Sequence, residues 1–192
     1  GGFAEASDAD ASWSGVPLGF PRIQGADCCG HVVAVGADVA AARIGERVIV
    51  RNMLRSPVGF EAYRCWTFGS ECDGGFAQYA VAPAIETHAV VCDWSDAELA
   101  SIPCAYSTAE NMLHRAGLGA GERVLVTGAS GGVGSAAVQL ARRRGAEVIA
   151  IAAAEKAAEI LALGVAQVLP RGSDLPAVLG ADSIDLVVDL VA

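Results

Sequence analysis

Lysine is almost absent from this chain: Lys156 stands alone beside twelve arginines. Basic residues as a whole are scarce, 13 against 22 acidic, for a net charge of −9 that lies mostly in the first 110 residues. That balance excludes the basic face a nucleic acid would need. No stretch of eighteen apolar residues is free of charge or glycine, so no membrane-spanning helix is expected. Gly1–Gly15 is small, polar and acidic, and no signal peptide is expected there. Histidine is limited to His31, His88 and His114, which are scattered and read as surface or packed residues. Six cysteines (Cys28, Cys29, Cys65, Cys72, Cys92, Cys104) fall without a framework spacing. They suit free thiols in a reducing cytoplasm, which also disfavours a local Cys65–Cys72 disulfide.

What is present is core material. Of 192 residues, 53% are apolar and 18% charged, the balance of a soluble globular protein with one large domain or two small ones. The densest signal is Val124 to Lys156. An apolar strand, Val124–Thr127, enters a glycine-rich turn, Gly128–Gly134. A helix striped with Ala137, Val138 and Ala141 follows, stops near Gly145, and leads to a second strand, Val148–Ala152. This is a β-turn-α-β unit, the setting in which a glycine turn points to dinucleotide binding. A diphosphate must lie against bare amides at a helix N-terminus. Gly131 and Gly132 let the backbone approach it, and Gly134 lets the helix pack on the strand. The fingerprint G-x-G-x-x-G reads here as Ala129-x-Gly131-x-x-Gly134, with Gly128 just before it.

Two other meanings of the turn fail. A phosphate loop needs lysine after the last glycine, and Ser135 stands there. Thr127–Gly134 also fits T-G-x-x-x-G-x-G, the pattern of short-chain dehydrogenases. That pattern requires a Tyr-x-x-x-Lys pair, whereas Ala152 stands four residues before Lys156. NAD-binding units carry an acid about twenty residues past the turn for the ribose hydroxyls; here the place falls on Ala152 or Ala153. Nothing there repels a 2′-phosphate, and Lys156 lies close enough in sequence to meet one, so NADPH is favoured over NADH. The candidate cofactor-binding residues are Ser130, Gly131, Gly132, Val133, Gly134, Ala152 and Lys156.

Upstream of residue 105 the pattern changes to short strands: Gly30–Gly36, Arg47–Arg51 and Phe76–Val81, bounded by glycine, proline and charge. Ser95-x-x-Glu98 and Ser107-x-x-Glu110 are capping boxes, the second expected to open a helix running to about Gly117. Further strands are expected at Gln167–Leu169 and Asp185–Leu190. The chain is therefore α/β: a β-rich domain over 1–105, joined to an α/β domain over 106–192.

These segments resemble the medium-chain dehydrogenase/reductase family, nearer its quinone oxidoreductase branch than its zinc alcohol dehydrogenases. The matching stretches are Gly25-Ala-Asp27-x-x-Gly30-x-Val-x-x-Val-Gly36, Gly45-Glu-Arg-Val48, Asp73-Gly-Gly-Phe-Ala-Gln-Tyr79, Ser107-Thr-Ala109 and the turn itself. The resemblance implies a partial GroES-like β-barrel domain followed by a partial Rossmann domain, with the active site in the cleft between them. It implies hydride transfer from the nicotinamide cofactor to a small-molecule quinone or α,β-unsaturated carbonyl, and a homodimeric full-length protein. By the same resemblance Thr108 lies near the nicotinamide.

The zinc branch has Gly-His-Glu where this chain has Gly25-Ala26-Asp27, and an alanine methyl coordinates nothing. Cys104 falls where that branch keeps a zinc-binding cysteine, but one survivor is short of the three ligands a catalytic site needs. The structural lobe needs four close cysteines, and only Cys65 and Cys72 are at hand. No zinc is expected. The oxygen on which charge develops would need a donor, and no residue is singled out for that role; Tyr106 is left facing either the cleft or the core. Against the family, first barrel strands before Gly1 and the last sheet strands after Ala192 are expected to be missing, so the chain alone is expected to be inactive and to expose an apolar sheet edge. Two alternatives remain: a zinc-type alcohol dehydrogenase, distinguished by stoichiometric metal, and a non-catalytic NADPH-binding redox sensor, distinguished by binding without turnover.

Overall fold

A computed structural model describes residues 18–59 and 66–191, which divide into two units between Cys104 and Ala105. Cys65, and with it the Cys65–Cys72 pairing weighed above, lies outside the described residues.

In the first unit, short β-branched runs pair antiparallel. β1 (Cys29–His31), β2 (Arg47–Val50) and β5 (Thr87–Ala89) form one sheet in the order β1-β2-β5, while β3 (Met53–Leu54) pairs with β4 (Trp66–Thr67). β2 alternates half-buried and buried residues and sends Val50 into a small core with Leu54 and Phe68. α1 (Asp96–Ala100) starts at Ser95, whose hydroxyl and Glu98 complete the expected capping box.

Three expectations are corrected here. The Gly30–Gly36 run is strand only to His31. Phe76–Val81 forms no strand, and Phe76, Tyr79 and Val81 are exposed. An alternating run becomes a strand only when a neighbour takes its backbone groups, and this one has no pairing strand among the described residues. Finally, Ser107 does not cap a helix: α2 runs Ile102–Ala116 and has already made more than a turn before Ser107. Pro103 fits the first turn, where its missing N–H costs nothing, and the N–H of Cys104 donates to Asp27 Oδ1 at 2.7 Å. The cap comes from a residue distant in sequence.

The second unit is built on a parallel sheet. β6 (Arg123–Val126), β7 (Glu147–Ala152), β8 (Gln167–Pro170) and β9 (Leu186–Val188) lie in the order β8-β7-β6-β9. Strands covered on both faces read as unbroken apolar runs, and Val124–Val126 and Val148–Ala150 are all buried. α3 (Gly132–Arg143) lays Ala137, Val138 and Ala141 against one face. It ends as its sequence demands, with Gly145 left-handed at φ 83°. On the other face Leu125, Ile149 and Leu169 pack with Leu175 and Leu179 of α5 (Leu175–Leu179). α4 (Ala157–Ala162) joins β7 to β8. Two strands lie to one side of β6 and one to the other. That reversal of direction is the Rossmann switch point, where ligands bind beyond the carboxyl ends of the strands.

Glu86 shows how polar contacts help hold a unit whose described residues form a small apolar core. Its carboxylate is buried, 1% exposed, and its Oε1 accepts the N–H groups of Arg55 and Ser56, each at 2.7 Å. The Arg51 guanidinium stands 3.6 Å from Oε2. Burial alone would push this carboxyl up. The amides of Ser56 and Arg55 and the Arg51 charge outweigh it and hold the group below its ordinary 4.5. Glu86→Ala should destabilise the chain by about 1–3 kcal/mol for each amide left without an acceptor. Because the folded pKa is lowered, the stabilisation is complete above 4.5 and is lost as pH falls through the folded value. Urea unfolding of both proteins across that range should show the gap between them closing in acid.

Candidate functional site

The glycine turn sits at the carboxyl end of β6, at the switch point. Gly128 is left-handed, φ 59°, and its carbonyl accepts the N–H of Gly131 at 3.0 Å. Gly131 is the N-cap of α3 with φ −80° and ψ 170° and offers no side-chain cap. The first-turn amides of Gly132, Val133 and Gly134 therefore have neither an intrahelical acceptor nor a side-chain one. Ser130, Gly131 and Gly132 are exposed and Val133 is half-buried, whereas Gly134 is buried, so the Gly132 and Val133 positions form the open part of the shelf.

The three glycines differ in what demands them. A Cβ at Gly134 would stand 2.2 Å from Gly128 O and 2.8 Å from Ala129 Cα, an overlap that backbone cannot relieve. Gly134 is thus required by the fold. A Cβ at Gly131 would come no nearer than 3.4 Å to Gly128 O, and one at Gly132 no nearer than 3.7 Å to Ala105 Cβ. Both positions have room in the protein itself, and the backbone of Gly131 is one that any residue adopts. The protein's own packing therefore does not require glycine at either position. The turn consequently fits a dinucleotide's diphosphate: bare amides, a helix N-terminus, and a cradle that added methyl groups would fill. The N–H of Gly131 itself is spent inside the turn.

Other candidates are placed less evenly. Ala105 of α2 neighbours Gly132, and Thr108, half-buried, stands one turn further along the same helix, on the same face. Tyr106 packs against the core of the second unit, and its hydroxyl accepts Gln139 Nε2 at 2.9 Å. Ala152 is buried with 1% exposure in the α3-side core, so its side chain offers nothing to a ribose. Lys156 is exposed just before α4, its Nζ 3.0 and 3.2 Å from the Glu159 carboxylate oxygens. Cys104 is tied through its backbone to Asp27, and among the described residues no three His, Cys, Asp or Glu side chains gather as a metal site.

Two residues at the switch point were not among the candidate site residues. Thr127 Oγ1 donates to Asp189 Oδ1 at 2.5 Å and accepts the N–H of Leu190 at 2.8 Å. The N–H of Val191 also reaches Asp189 Oδ1, at 3.2 Å. The Thr127 hydroxyl, and after it the Val191 amide, hold the Asp189 carboxyl below its ordinary value. An acid directly after the apolar strand β9 was the available signal.

Gly134→Ala should cost about 3 kcal/mol of stability through backbone overlap. Gly132→Ala should change it by no more than about 1 kcal/mol. Guanidinium unfolding of the two variants distinguishes them, and equal losses would contradict the division of roles between these glycines.

The alcohol dehydrogenase GroES-like domain family matches residues 4–92. A crystal structure from Sinorhizobium meliloti, assigned as an alcohol dehydrogenase, shares 49% identity and superposes with a TM-score of 0.84, over 91% of this chain and 50% of that one. The acryloyl-coenzyme A reductase of Metallosphaera sedula is 33% identical over 90% of this chain and 54% of its own length. The quinone oxidoreductase of Pongo abelii is 30% identical over 94% of this chain and 51% of its own. The chain thus spans about half the length of these relatives. No helix among the described residues is long and apolar enough to cross a membrane.

Proposed function

We propose, for a chain that belongs to the medium-chain dehydrogenase/reductase family, that the glycine shelf binds NADPH and that the whole protein reduces a quinone or an α,β-unsaturated carbonyl without zinc. The observation that carries this is the unfilled room at Gly131 and Gly132, beside a glycine, Gly134, that the fold itself requires. The cofactor supplies a hydride. The residues of this chain bind and orient it. The Gly132 and Val133 amides meet the diphosphate at the positive end of α3. Ser130, on the same exposed rim, offers a hydroxyl to it. Thr108 lies along the helix that borders the shelf, where it would support the nicotinamide.

The preference for NADPH rests on charge. Ala152 and Ala153 hold the places where an acid would accept a ribose 2′-hydroxyl, and the nearest acid, Glu155, stands beside Lys156. Lys156 pairs with Glu159 across solvent-exposed surface. Such a pair contributes little, about 0–1 kcal/mol, so a doubly charged phosphate would displace it. Zinc independence is supported by the donor set: Ala26 brings no ligand, and the Asp27 carboxylate is engaged with the Cys104 amide. The reduction of a conjugated carbonyl agrees with the relative whose substrate is an acryloyl thioester.

Fluorescence titration with NADPH and NADH tests this function. Gly132→Ala should keep the fold and weaken NADPH binding about tenfold or more, the loss of one amide–phosphate contact. Lys156→Ala should weaken NADPH several-fold while leaving NADH unchanged, with a gap that narrows at high salt. Tighter binding of NADH by the unaltered protein would remove Lys156 and the 2′-phosphate from this account.

A further inference from the structure

We infer that Thr127 and Asp189 form a lock between the carboxyl ends of β6 and β9 that positions the glycine turn for its cofactor. The inference rests on the nucleotide-binding function proposed above and adds two positioning residues to it. Regular pairing of β6 with β9 ends at Val126 and Val188. The Thr127 N–H still donates to Val188 O at 3.0 Å, and beyond that point side chains replace the ladder. The Thr127 hydroxyl, donating to Asp189 and accepting from Leu190, holds the strands together where they would otherwise splay toward the ligand crevice. The Asp189 carboxylate then turns back to take the Val191 amide.

The consequence reaches the turn through packing. With segment 189–191 fixed, Leu190 and Val191 lie over Gly128: a Cβ there would stand 2.9 Å from Val191 Cγ2 and 3.4 Å from Leu190 Cβ. Gly128 in turn holds Gly131 through its carbonyl and meets the backbone at Gly134. The route therefore runs from Asp189 through Thr127 to Leu190 and Val191, then to Gly128 and the amides of α3. Neither side chain needs to touch the cofactor.

The test is a double-mutant cycle in the full chain, Thr127→Val, Asp189→Ala and both together, with Thr127→Ser as the conservative control. NADPH dissociation constants and amide hydrogen exchange of residues 128–134 in the cofactor-free protein are the readouts. Thr127→Val and Asp189→Ala should each weaken NADPH about fivefold and speed exchange across the turn. The double variant should be no worse than either single one, because one device cannot be lost twice. Thr127→Ser, which keeps the hydroxyl, should stay within about twofold of the unaltered protein. Losses that multiply in the double variant, or unchanged affinity and exchange, would overturn the lock. Should the unaltered protein bind neither NADPH nor NADH, the functional proposal falls, and the exchange rates alone decide whether the turn depends on these two residues.

Discussion

The site is organised by one close approach: the backbone of Gly134 lies so near Gly128 O that a Cβ would sit 2.2 Å away. Helix α3 can start directly beneath β6 only because nothing projects at that position. The start of the helix then sets where its unpaired amides fall. Were the helix displaced by the width of a methyl group, those amides would no longer line the shelf at the switch point. Packing demands Gly134, while Gly131 and Gly132 have room for a Cβ within the protein itself.

The two units are held by different means. In the second, a parallel sheet buries Val124, Val126, Val148 and Ile149 almost completely, and its strands need few side-chain hydrogen bonds. In the first, the core cluster is Val50, Leu54 and Phe68, and polar staples take over part of the work. Glu86 gathers amides from a loop thirty residues away. Arg47 sends its guanidinium to the carbonyls of Trp94 and Cys92. Glycines supply the rest: a Cβ at Gly74 would stand 2.3 Å from Gly25 O, so the loop around residue 25 and the loop around residue 74 meet main chain to main chain. That contact fixes Asp27, whose carboxylate caps α2.

Features that depend on near neighbours were legible. The strand–turn–helix–strand unit follows from apolar periodicity and glycine spacing, and β6, β7 and β8 lie within a residue of their expected ends. The capping box at Ser95 is local chemistry and forms as written. The same motif at Ser107 does not form, because a capping box competes with other starts, and Pro103 together with Asp27 begins α2 earlier. Phe76–Val81 has the alternation of a strand, but alternation describes faces and not partners. Ala152 was placed correctly at the end of β7, yet which way its methyl points depends on α3.

The sequence by itself determined the elements whose cause is local: an unbroken apolar run makes a doubly covered strand, and glycines at fixed spacing make a turn that bares amides. It also determined the chemistry available, above all a single lysine, and alanine at both 152 and 153. Tertiary structure decided which distant residues meet within each unit. Asp189 meets Thr127 across 62 positions, and Asp27 meets Cys104 across 77. No periodicity encodes such pairings, because they exist only once strand order and helix packing have brought the two segments together.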